Sequence, residues 1–222
     1  MKIISWNIGS FIWLKHFPGR KHQCFQVENL DKIQEIIKKE NADIIFLQEL
    51  MTEDIGKIIN AFPELIYHRI INTENRISKI LLLSKYPFVE VEHPLNNYFI
   101  INSINFLPIH LDAFSPRRRL LEIKSLLKDF TSKKSIILGD TNLWIFNKYF
   151  SSKLDKKSYL LFLEDFIDTF RFSNHTTRMF LPLDKIFISK DLESKNPKII
   201  KDKIRHMDHY LISLEILYEN KK

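Results

Sequence analysis

The sequence predicts an α/β (α+β) layered domain, on three observations. Short β-rich apolar runs alternate with segments of helical periodicity, and several strand-like runs sit in hairpin-like pairs. With 45% hydrophobic residues in 222, the chain can bury a sizeable core. No Gly/Ser linker, Pro-rich hinge or fixed-period repeat interrupts it, so residues 1–222 read as a single domain. Helical crossovers imply parallel strands, and the paired strands imply antiparallel ones. A purely parallel wind is therefore excluded.

The elements follow in order. "KIISW" (2–6) is a strand that ends at Asn7. Residues 11–26 form a loop in which Trp13, Lys15, His16, Arg20 and Lys21 mix aromatic and basic groups, a composition suited to base stacking and phosphate contact. From Glu28 to Lys39, Leu30, Ile33, Ile36 and Ile37 recur at helical spacing. "ADIIFLQE" (42–49) is a buried-type strand with Glu49 at its end. Thr52 caps a helix with Glu53 and Asp54 in its first turn, and Pro63 stops it after Phe62. "LIYHRII" (65–71) and "ISKILLLS" (77–84) are strands, and "YFIINSINFLPIH" (98–110) is one strand or two. Pro116 and Arg117 open a helix with the apolar stripe Leu120, Ile123, Leu127 and Phe130. "SIILGD" (135–140) is a strand, "SYLLFLEDF" (158–166) a helix, and "LDKIFIS" (183–189) and "YLISLEIL" (210–217) are strands.

Composition narrows the function. Cys24 is the only cysteine, which excludes an intrachain disulfide and a multi-cysteine zinc site and points to a reducing, cytoplasmic setting. No apolar run approaches the roughly 20 residues that span a bilayer. Ser5, Asn7 and Ser10 break up the apolar start of the chain, so it does not read as a signal peptide. A net charge of +7 suits a polyanionic partner.

Against that positive balance, acidic, amide and imidazole groups gather at strand ends: Asn7 ("SWN"), Glu49 ("LQE"), Asp140 and Asn142 ("GDTN"), Asp208 and His209 ("MDHY"). His110 ("IHL") and Asp184 ("LDKIF") lie on or beside other strands. Parallel strands joined by a right-handed crossover align their C-terminal tips, so Asn7 and Glu49 share one sheet edge. Such an oxygen-rich set suits a hard divalent cation, and histidine beside it can donate a proton or face a phosphate.

The ordered pieces "SWNI", "LQEL", "LLLSKYP", "IHLDAFSPRRR", "LGDTNLW", "LDKIFIS" and "MDHYLIS", spanning residues 4–213, resemble the endonuclease/exonuclease/phosphatase superfamily. The resemblance implies a four-layer α/β/β/α sandwich of the DNase I type. It implies Mg²⁺, with Mn²⁺ as a substitute, held by Glu49 with Asn7 and Asp208 beside it. Asp140 would orient or deprotonate the attacking water, and Asn142 would contact the phosphate or that water. His209 would face a phosphoryl oxygen, braced by Asp184. His110 matches the histidine of the DNase I and sphingomyelinase branches, a phosphate contact or leaving-group acid. Arg117 and Arg119, at the start of a helix, are candidate phosphate grips, and Asn174, with His175 and Thr176, falls where the family often contacts substrate. Two departures stand out. The apurinic endonucleases carry an aspartate where this chain has Gly9, and Trp144 replaces an arginine common in the tyrosyl-DNA phosphodiesterase branch. The expected activity is Mg²⁺-dependent cleavage of phosphodiesters in nucleic acid, DNA above all, by a monomer. The alternative is a phosphatase or lipid phosphodiesterase acting on an inositol-phosphate or sphingomyelin head group. A third reading, a binding scaffold with a dead site, is opposed by the intact Glu49, Asp140, Asn142, Asp208 and His209.

Overall fold

The computed structural model describes residues 1–9, 29–50, 52–72, 79–93, 96–130, 133–145, 152–170, 175–202, 204 and 207–217. The loop 11–26 and Asn174 lie outside them. In chain order the elements are β1 (Lys2–Asn7), α1 (Leu30–Glu40), β2 (Ile44–Leu50), α2 (Thr52–Ala61), β3 (Tyr67–Asn72), β4 (Lys79–Ser84), β5 (Val89–Val91), β6 (Tyr98–Ile101), β7 (Ile104–His110), α3 (Pro116–Asp129), β8 (Ser135–Asp140), α4 (Lys153–Asp165), β9 (Phe166–Asp168), β10 (Asp184–Ser189), β11 (Glu193–Ile200) and β12 (Leu211–Leu217).

They build two six-stranded sheets, ordered β11-β12-β1-β2-β4-β3 and β5-β6-β7-β8-β10-β9. In each, one central pair is parallel, β1 with β2 and β7 with β8, and the other neighbours are antiparallel. A helix, α1 or α3, makes each parallel crossover. The two halves repeat one plan: β1-α1-β2-α2-β3-β4 corresponds to β7-α3-β8-α4-β9-β10, strand for strand in sheet order.

Three apolar layers fix the stacking. Ile3, Phe46 and Leu82 of the first sheet meet Phe106, Ile136 and Ile186 of the second between the sheets. Ile33, Ile37, Ile55 and Ile58 of α1 and α2 cover the first sheet's outer face. Ile123, Leu126 and Phe162 of α3 and α4 cover the second's. The α/β/β/α sandwich is thus the answer to strands apolar on both faces. Among the described residues no helix is long and apolar enough to cross a membrane.

Local chemistry sets the boundaries. Asn41 ends α1 in the left-handed conformation, its N–H donating to the carbonyls of Ile37 and Lys38. Asn102 and Ser103 both take positive φ, 51° and 63°, which makes the two-residue turn that splits 98–110 into β6 and β7. Ser152 caps α4, so that helix begins at Lys153 rather than Ser158. The stripe expected on α3 is corrected: Arg119, Ile123, Leu126 and Phe130 are buried, while Leu120 and Leu127 are half-buried, because Arg119 turns inward to an ion pair with Asp155.

Candidate active site

Six chain segments deliver the candidate residues to one edge of the sandwich. β1, β2, β7 and β8 end there, whereas the antiparallel β10 and the segment before β12 start there. Register does the fine alignment. Asp140 pairs with His110 on one side and Asp184 on the other, so all three side chains point to the same face. That face is the inter-sheet face, continuing the rows of Leu138 and Ile186. Asn7 continues the row of Ile3 in the opposite sheet.

Glu49 needs a further device. Ile44 and Phe46 face inward, so strict alternation would send Gln48 inward and Glu49 out. The register between β2 and β4 shifts between Leu47 and Leu50, and Glu49 itself takes φ 60°. This bulge turns the carboxylate back toward the cluster at a backbone cost of about 1–2 kcal/mol. Strain of this kind is concentrated at functional sites.

The cluster is tight. Asn7 Nδ2 donates to Glu49 Oε1 and to Asp140 Oδ2, both at 3.1 Å. Its own Oδ1 accepts the Gly9 N–H at 2.9 Å, so the amide orients two carboxylates instead of offering its oxygen to the centre. His110 Nε2 lies 3.3 Å from Glu49 Oε1 and 3.8 Å from Asp140 Oδ2. Asp140 Oδ1 accepts the Asn142 N–H at 2.9 Å, and Asn142 Nδ2 donates to the Leu111 carbonyl. His209 Nδ1 lies 2.8 Å from Asp184 Oδ2, which aims Nε2 at Asp140 Oδ2, 3.8 Å away, and at Asp208 Oδ1, 4.0 Å away.

Electrostatics separates the acids. Burial opposes ionisation of Glu49, but hydrogen bonding and charge from His110, with help from His209 and Asn7, hold its carboxyl at about 2. Asp140 is raised, first by burial and then by the charges of Asp184 and Glu49. Asp208 is raised chiefly by burial, with Glu49 and Asp140 adding to it. For His209, burial favours the neutral ring, yet Asp184, Asp140 and Asp208 outweigh it and lift the imidazole well above its ordinary value.

Several supporting residues carried no sequence signal. The Trp6 indole donates to the His209 carbonyl. Arg178 N–H donates to the Asp208 carbonyl and Tyr210 N–H to the Thr176 carbonyl, pinning the Asp208–His209 pair to the loop before β10. Thr176, expected near substrate, is buried and accepts the Asp184 N–H through its hydroxyl.

Gly9 has a steric explanation. A Cβ there would lie 1.8 Å from Glu49 Oε2 and 2.6 Å from Glu49 Cβ, so any side chain must displace Glu49. An aspartate at this position could not simply add a ligand. Gly9→Ala is expected to lower metal affinity and activity by about a hundredfold, the effect of an ångström-scale misplacement. Metal titration calorimetry checks this, and unchanged affinity would refute the steric account.

Arg119 also requires correction. Its Nε and Nη2 grip both oxygens of Asp155 at 2.8 Å, and Nη1 donates to the Asp112 carbonyl. It is 2% exposed and spends its charge inside the protein, unlike a phosphate grip. Arg117, two residues earlier, is exposed on the helix's first turn.

The donor set fits a hard divalent cation. Glu49, His110 and Asp140 bring ligand atoms within 4.8 Å of one another, and so do Asp140, Asp184 and His209. The carboxyls of Asp140 and Asp208 are raised by crowding and burial, a penalty that a bound cation would relieve. Glu49 and Asp208 would hold it. A cleft of about 760 Å³ opens onto these groups.

Solved structures of other proteins share this fold. The fold closely matches an AP endonuclease from Archaeoglobus fulgidus, with TM-score 0.73 and 14% identity over 98% of this chain and 100% of that one. It also matches a 3′ phosphatase from Neisseria bound to a product DNA hairpin, with TM-score 0.71 and 16% identity over 98% and 100%. A mannosyl-6-phosphatase from Bacteroides thetaiotaomicron follows, with TM-score 0.69 and 14% identity over 98% and 100%. No curated protein matches the sequence. Residues 4–204 match the Endonuclease/Exonuclease/phosphatase family, and with the cluster described above the chain belongs to that family of metal-dependent phosphoester hydrolases.

Proposed function

We propose that the protein is a Mg²⁺-dependent phosphodiesterase acting on nucleic acid, with DNA as its main substrate and water as the nucleophile. The observation that carries this reading is the sharing of Asp140 between two donor groups, one with Glu49 and His110, the other with Asp184 and His209. One side can seat a cation, and the other a protonated imidazole facing a phosphoryl oxygen.

The chain's own residues divide the work. Asp140, held by Asn142 and Asn7, accepts a hydrogen bond from the attacking water and takes its proton. His209, kept protonated by Asp184, donates from Nε2 to a phosphoryl oxygen where charge builds up. His110 Nε2 donates on the Glu49 side, toward the leaving oxygen. Mg²⁺ held by Glu49 and Asp208 would supply charge neutralisation to the reacting phosphate. The net charge of +7 favours a polyanionic substrate.

A substrate panel tests the reading. Plasmid DNA, single-stranded oligonucleotide, RNA, 5′-phosphotyrosyl oligonucleotide, inositol phosphates, a sugar 6-phosphate and sphingomyelin are offered with Mg²⁺, Mn²⁺ or EDTA. DNA cleavage in either metal, stopped by EDTA, is expected. Hydrolysis of lipid or sugar phosphate with every nucleic acid intact would replace this substrate by the phosphatase alternative.

A further inference from the structure

The segment that joins β7 to α3 is held from both sides. Toward the cluster, the Leu111 N–H donates to the Asp140 carbonyl and the Leu111 carbonyl accepts from Asn142 Nδ2, both at 3.0 Å. Toward α3, the Asp112 N–H donates to Glu122 Oε2 at 3.0 Å and the Asp112 carbonyl accepts from Arg119 Nη1 at 2.8 Å. The direction of Nη1 is not free. Asp155, itself buried, binds Nε and Nη2 of the same planar guanidinium at 2.8 Å, so the fork fixes where its third nitrogen points. Asn142 meanwhile takes φ 48°, a conformation that a non-glycine residue keeps where its surroundings hold it. The Leu111 carbonyl is part of that hold, one residue from the carbonyl that Arg119 grips.

We infer that Arg119 and Asp155 are positioning residues for hydrolysis. The Asp155 carboxylate aims the guanidinium, and the guanidinium fixes the Asp112 carbonyl. The segment so held sets Asn142, whose N–H orients Asp140. The inference rests on the proposed function for the roles of Asp140 and Asn142. It gives the buried pair a place in that site, acting through the backbone. Packing α3 against α4 does not require an ion pair, because well-packed apolar side chains of similar volume commonly replace one without loss of stability. What an apolar pair cannot do is donate to a backbone carbonyl. Glu122 would still hold the Asp112 N–H, so loss of Arg119 loosens the segment without freeing it. The expected cost is about tenfold in rate, below the roughly hundredfold of an ångström-scale misplacement.

The test separates positioning from folding and from substrate binding. The double variant Arg119→Met/Asp155→Leu and the single variant Arg119→Lys are compared with wild type on whichever phosphoester the substrate panel identifies. Leu126→Ala, in the apolar layer between the same helices and the sheet, controls for loosened packing. The double variant should keep the wild-type Tm or exceed it, lose about tenfold in kcat and hold KM within about twofold. Arg119→Lys keeps the charge and lacks the fork, so its kcat should fall as well. It carries the test if the double variant does not fold. Leu126→Ala should lower Tm and leave kcat unchanged. In EDTA, NMR hydrogen exchange at the Leu111 and Asn142 amides should be faster in both Arg119 variants, with the Ile123 amide of α3 still protected. Wild-type kcat in both Arg119 variants, unchanged exchange at Leu111 and Asn142, or an equal loss of kcat in Leu126→Ala overturns the inference. A raised KM at constant kcat overturns it too, and returns Arg119 to phosphate contact. If DNA stays intact while another phosphoester is cleaved, the proposed substrate fails and the inference stands on the same measurements.

Discussion

Glu49→Ala is expected to eliminate EDTA-sensitive hydrolysis, lowering kcat by about a thousandfold, at the upper end of what loss of one preorganised electrostatic group costs. With its carboxyl at about 2, Glu49 is ionised throughout the working pH range, so it is the most dependable anionic ligand of the cluster. Its removal also takes away one of the two carboxylate oxygens that Asn7 Nδ2 donates to, and the nearer of the two that His110 Nε2 faces. Glu49→Gln preserves shape and removes charge. It should be nearly as inactive, with Mn²⁺ affinity reduced in parallel. Glu49→Gly separates function from folding. Glycine tolerates φ 60° without the Cβ clash, so this variant should be inactive and yet more stable by about 1 kcal/mol. Retained metal affinity in all three variants would remove Glu49 from the centre.

His209→Ala should cost about a hundredfold or more in rate, roughly 3 kcal/mol, as expected for a donor aimed at developing charge. The raised pKa of His209 makes a companion prediction about stability in the chelated protein. The folded chain keeps this proton at pH values where the unfolded chain, titrating near 6.5, has released it. The stabilising contribution is therefore complete below pH 6.5 and disappears as pH rises through the higher folded value. Asp140 and Asp208, also raised, act in the same sense at acid pH. Thermal unfolding in EDTA should show Tm falling as pH rises above 6.5. Asp184→Asn removes the strongest support for the imidazolium, so its Tm should fall less over that range, and NMR titration of the His209 ring should show a lower midpoint. A wild-type Tm that is flat or rises with pH would contradict the ion-pair account.

The legible parts of the fold were those where local chemistry repeats along the chain. β1, β2, β4, β8, β10 and β12 are apolar runs, and the Ile spacing of α1 has no competing interpretation. β11 was missed because it is an exposed edge strand carrying Lys195, Pro197 and Lys198, a composition that reads as loop. β5 and β9, three residues each, are strands only because neighbours pair with them. At the site, motif residues could be named from sequence order, but not how they are held. Nothing in "LQEL" announces the bulge that rotates Glu49, and nothing in "PRRR" says that Arg119 has Asp155 waiting inside. Such partners are distant in sequence and meet only through packing.

Because Asn7 and Glu49 come from one sheet and His110, Asp140 and Asp184 from the other, the catalytic groups straddle a seam made almost wholly of aliphatic and phenyl contacts. Directional contacts across it gather at this edge, where Asn7 Nδ2 donates to Asp140 Oδ2 and His110 Nε2 faces Glu49 Oε1. They act as a rivet, joining two topologically equivalent halves at the one place where their alignment matters to chemistry.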